Sequence, residues 1–89
     1  DLACFLSPAM MTLYRRAPHD ADAAASFLDA YPDRVAVARY RATAAAWHWR
    51  IACYCHYRAQ ELEVAEPETS ARYRQALANE LDFIEGLAG

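Results

Sequence analysis

Apolar residues along this chain recur at three- and four-residue steps, the spacing that puts them on one face of a helix. Leu2, Phe5 and Leu6 share a face at the start, and Ser7-Pro8 interrupts it. Pro8 disfavours helix at Ser7, although Ser as N-cap with Pro at the first helical position can also open a short new turn. The stretch Pro8–His19 is the least regular, yet Met10, Met11, Leu13 and Tyr14 make it too apolar for a free linker. Asp20 is placed as the N-cap of a helix whose face is Ala23, Ala24, Phe27, Leu28 and Tyr31, and Pro32 ends it. The next helix runs from about Asp33 to Val64, with a stripe of Val37, Tyr40, Ala44, Trp47, Ile51, Tyr54 and Cys55. Glu66-Pro67-Glu68 marks a turn, Thr69 or Ser70 caps the last helix, and Tyr73, Leu77, Leu81, Ile84 and Leu87 form its apolar stripe, with Glu80 and Asp82 on the wet side.

The pattern predicts an all-α chain of about four antiparallel helices forming one helical subdomain over residues 1–89. Composition strengthens this: 21 alanines against 2 glycines favour helix, and the Val, Ile and Thr that strands prefer are few and scattered. Length adds a constraint. A helix over residues 33–64 is about 45 Å long, while a compact body of this size has a radius of gyration of about 12 Å. The helix must break or pack on something further, and the second is expected. A domain this small buries only roughly 65% of its extended surface, and Asp1 is not a Met. Both suggest the C-terminal part of a larger chain.

Charge excludes some classes. The net charge is −3, and all nine basic residues are Arg with no Lys, so no nucleic-acid partner is expected. No apolar run reaches the ~20 residues of a membrane span, so no membrane partner is expected either. Cys4, Cys53 and Cys55 are odd in number and lack disulfide spacing, which suits a cytoplasmic setting. The densest chemistry lies in Trp47–Arg58, with two Cys and two His. Cys53 and Cys55 diverge by about 200° around a helix, and Cys53 with His56 supplies two ligands where a structural zinc needs four; no metal site is read. The aromatic residues serve as core or as the wall of a small-molecule pocket. No nucleophile–base pair or Gly-rich phosphate cradle is present, so no catalytic residue is assigned.

Asp1-Leu2-Ala3-Cys4-Phe5-Leu6-Ser7-Pro8, followed by Phe27-Leu28-Asp29-Ala30-Tyr31 and the aromatic helix Ala36–Arg58, resembles the aminoglycoside phosphotransferase and choline kinase-like family over roughly the first 60 residues. The resemblance implies the C-terminal helical subdomain of a protein-kinase-like fold, forming part of the pocket for a small-molecule acceptor of the ATP γ-phosphoryl group. Asp1 would brace the catalytic loop from outside, and Tyr14, Trp47 and Trp49 would contact the acceptor. ATP and Mg would be held by an upstream kinase lobe of the same polypeptide, since the family's phosphate-binding Lys, His-Gly-Asp loop and Gly-Asp-Pro turn are absent from these residues. The alternative class is a helical ligand-binding and dimerisation domain of a transcription regulator.

Overall fold

Ser, Asp and Pro set the helix boundaries, and they do so more often than the periodicity alone suggests. The computed structural model describes residues 2–17 and 20–88. These form five helices, with no strand among the described residues: α1 (Leu2–Leu6), α2 (Pro8–Leu13), α3 (Ala21–Ala30), α4 (Arg34–Glu61) and α5 (Pro67–Ala88). Ser7 makes the extra helix. Its backbone is extended, Pro8 follows as the first helical residue, and its Oγ accepts the Met10 N–H at 3.2 Å. The first half of the irregular stretch, Pro8–Leu13, is thus a short helix. It closes with paired C-terminal bonds, Arg16 N–H to the Met11 carbonyl and Arg15 N–H to that of Thr12, which place Arg15 in the left-handed region at φ 59°.

Asp20 and Asp33 cap α3 and α4, accepting the N–H of Ala23 at 2.7 Å and of Ala36 at 3.0 Å. Arg34, the first residue of α4, donates from Nη1 to the carbonyls of Leu28, Asp29 and Tyr31. A guanidinium thereby closes the negative end of α3 and fixes the α3–α4 corner. The last helix starts one turn earlier than expected, at Pro67. Ser70 is already within it, its N–H bonded to the Glu66 carbonyl, and its hydroxyl donates instead to the Ala59 carbonyl at 2.6 Å. That bond joins α5 to α4.

The 28 residues of α4 run unbroken along a body measuring 44 × 23 × 22 Å. The helix does not break; the body lengthens to cover it. α5 returns antiparallel along its C-terminal half, and α1 and α3 cover its N-terminal half, where Leu2, Ala3, Leu6, Leu28, Val37, Tyr40 and Ala44 form one core. A second core gathers Ala9, Cys55 and Ala76. The buried line of α4 is Val37, Tyr40, Ala44, His48, Ala52, Cys55 and Ala59, not the stripe through Trp47, Ile51 and Tyr54. Trp47 and Tyr54 are 46% and 53% exposed. Close approach of α5 selects small side chains at the contact and leaves the large rings on its flanks. Likewise Glu80 does not face water: it is fully buried. Among the described residues no helix is long and apolar enough to cross a membrane.

Candidate functional site

Glu80 is buried at the point where three segments meet, and both of its carboxylate oxygens are taken. Oε1 accepts the Ser7 hydroxyl at 2.7 Å and the Ala9 N–H at 3.0 Å. Oε2 lies 2.7 Å from His48 Nδ1, and His48 Nε2 lies 2.8 Å from the Tyr40 hydroxyl. A carboxylate only accepts, so Nδ1 carries a proton, and Nε2 then accepts from Tyr40. A neutral imidazole satisfies every polar atom in the chain Tyr40–His48–Glu80–Ser7. Ser7, His48 and Glu80 are each 0% exposed. The Phe83 ring packs on the imidazole at 4.5 Å, and the Asn79 amide donates to Thr12 one turn away.

Burial, with the charge of Glu80 adding to it, pushes the Tyr40 phenol up to about 12 and the Cys55 thiol up to about 11. Both groups therefore keep their protons and stay chemically quiet. In order of residues the relay resembles a carboxylate–imidazole–hydroxyl triad. The serine, however, donates to the carboxylate rather than to the imidazole, and Ser7, His48 and Glu80 are fully buried, so no substrate atom can reach the imidazole or the serine. What this arrangement can do is position. It joins the α1–α2 turn to α4 and α5 by directional bonds that apolar packing would not supply.

Binding chemistry lies at the surface instead. Trp47 shares a groove of about 280 Å³ with Leu2 and Ala3 of α1 and with Arg39, Tyr40 and Thr43; Arg50 stands 5.8 Å from its ring centre. Trp49 lies in a separate apolar groove beside Cys53, His56, Leu77 and Leu81. Tyr14 borders a third, with Tyr54, Tyr73 and Arg72. The structure does not bring Tyr14, Trp47 and Trp49 together, and Asp1 lies outside the described residues. Cys53 is exposed and Cys55 buried, as their angular separation requires, and among the described residues no three His, Cys, Asp or Glu side chains come together as a metal site.

Sequence reasoning missed Glu80, Ser7 and Tyr40 as a unit. One signal was present: Ala44, His48, Ala52 and Ala76, Glu80 continue the spacing of small buried positions, so a polar residue on that line faces the neighbouring helix. The chain matches no known family model, no curated protein and no solved structure.

Proposed function

We propose that this chain is the C-terminal helical part of an ATP-dependent small-molecule phosphotransferase, forming part of the acceptor pocket. The observation that carries this reading is the seating of α1. Leu2, Ala3 and Leu6 of the Asp-Leu-Ala segment are buried core residues against α4, the Ser7–Glu80 bond holds the turn after them, and the same helix borders the groove that contains Trp47. A helix that leads away from a catalytic loop is in this way joined rigidly to a candidate acceptor wall. Exposed aromatic rings along α4, with Trp47, Trp49, Tyr54 and Tyr57 at 46–60%, add surface suited to a ligand or a second lobe.

In this reading the chain's residues orient an acceptor hydroxyl. Trp47 offers a flat apolar surface, and Arg39 and Thr43 offer polar tips. By the same resemblance ATP and Mg would be held by an upstream lobe, where the family carries the phosphate-binding Lys and the catalytic loop that these residues do not contain. The test uses the full-length parent protein, assayed for ATP-dependent phosphorylation of hydroxyl-bearing small molecules. Trp47→Ala is expected to raise the acceptor KM about tenfold, the loss of one stacking surface, with the ATP KM unchanged. A parent chain without a His-Gly-Asp loop and Gly-Asp-Pro turn upstream would overturn the reading.

A second reading, the ligand-binding and dimerisation domain of a regulator, draws on a largely apolar cleft of about 460 Å³ between α3, α4 and α5, bordered by Leu28, Tyr40, Phe83 and Leu87. It requires a stable dimer, which sedimentation of the chain would reveal.

A further inference from the structure

The arginines of this chain are mostly occupied. Arg34 caps α3, Arg41, Arg58 and Arg74 pair with Asp29, Glu61 and Glu63, and Arg50 stands by Trp47. Arg15, Arg16 and Arg39 are exposed to water. Arg72 differs from all of these. It is half-buried, has no carboxylate partner among the described residues, and lines a pocket of about 300 Å³ between α2, α4 and α5.

The rest of that pocket has complementary chemistry. Met10 and Leu13 supply an apolar wall, and Tyr14, Tyr54 and Tyr73 supply rings and phenols. Tyr54 and Tyr73 meet edge-to-face at 6.2 Å, and the Arg58 guanidinium stands 5.7 Å from the Tyr73 ring centre with its charge paired to Glu61, which leaves Arg72 as the cation facing the pocket. The turn after Tyr14 carries Arg15 and Arg16. One carboxylate opposes this: Glu66 accepts the Thr69 hydroxyl at 3.5 Å on the pocket's edge.

We propose that this pocket binds a small oxyanion, a carboxylate or phosphate carried on an aromatic or apolar ring. The Arg72 guanidinium is the anion's anchor, matching a two-oxygen face with paired N–H donors. Phenol hydroxyls donate alongside it, and the ring lies between the Met10–Leu13 wall and the tyrosines. Glu66 sets an upper limit on affinity by repelling the anion from the Thr69 side. The site is independent of the phosphotransferase reading and is testable on the 89-residue chain with no nucleotide present.

The experiment titrates the chain with phenyl phosphate, benzoate, benzyl alcohol and benzyltrimethylammonium, following backbone amide shifts. Both anions are expected to bind about tenfold more tightly than the alcohol, as one charge-assisted contact supplies, with perturbations centred on residues 13–14 and 69–73. Arg72→Gln should remove that tenfold while leaving benzyl alcohol binding intact, and Glu66→Gln should tighten both anions roughly two- to threefold. Comparing phenyl phosphate with benzoate tells a phosphate site from a carboxylate site. Anions no tighter than the alcohol, an Arg72→Gln chain that keeps its preference for anions, or perturbations confined to other grooves would each overturn the proposal.

Discussion

The Tyr40–His48–Glu80–Ser7 junction and the Tyr14–Tyr54–Tyr73–Arg72 pocket lie on the same helices and draw on similar residue types, yet they solve opposite problems. At the junction every polar side-chain atom has a partner, and Ser7, His48 and Glu80 are fully buried. At the pocket a guanidinium is half-covered and unpaired beside phenols that remain accessible. A buried polar group without a partner costs several kcal/mol, so the closed set is constrained toward completeness and serves architecture. A half-open set carries no such penalty, because water fills the place a ligand would take. Incomplete pairing at a concave surface is thus the more informative sign of binding chemistry on this molecule, and complete pairing in the interior is the sign of a lock.

That contrast can be broken most directly at the lock. His48→Ala takes the donor from Glu80 Oε2 and leaves a cavity under Phe83, and should destabilise the chain by about 3–5 kcal/mol in urea unfolding. Glu80→Ala should cost a similar amount, and the double variant should cost clearly less than the sum, since the two share one network. Additive losses would show that the relay is not a unit.

Tyr40→Phe is a finer probe, expected to cost about 1–2 kcal/mol at neutral pH by removing the donor to Nε2. It also has a signature in alkali. The folded phenol titrates at about 12 rather than its ordinary 10.0, and the Cys55 thiol at about 11 rather than 9.0. Above these ordinary values the unfolded chain releases its protons first, so the protonated native state loses stability as pH rises from 9 toward 12. Tyr40→Phe should flatten the part of that fall above pH 10 and leave the part belonging to Cys55.

The smallest effect belongs to the pocket's edge. Arg15 holds a left-handed backbone conformation at φ 59°, which disfavours any side chain beyond glycine. Arg15→Gly should raise stability by about 0.5–1 kcal/mol in thermal unfolding. The same kind of substitution in the lock could only destabilise, because each polar side chain there has a partner to lose.

Much of the fold was legible because caps and breakers act locally. Asp20, Asp33 and Pro32 delimit α3 and α4 wherever the chain is placed, and Ser7-Pro8 offers a helix start that the structure uses. The faces were less legible. Reading α4 by hydrophobicity favours Trp47, Ile51 and Tyr54, whereas the contact with α5 is made through Ala44, His48, Ala52 and Cys55. Small residues carry little hydropathy signal but allow two backbones to approach, and the large rings are then displaced to the flanks. Glu80 and Asp82 look alike in the sequence; only one of them faces a serine and a histidine.

The sequence by itself determined that this chain is helical, where most helices start and stop, and that all of its positive charge is carried by arginine. Tertiary structure decided which side of each helix is inside, that His48 and Glu80 are partners across 32 residues, and that Tyr14 and Arg72 border one pocket. Helix boundaries depend on hydrogen bonds within four residues, which a linear pattern records. The partners of a buried polar side chain depend on which distant helix covers it, and no local pattern contains that.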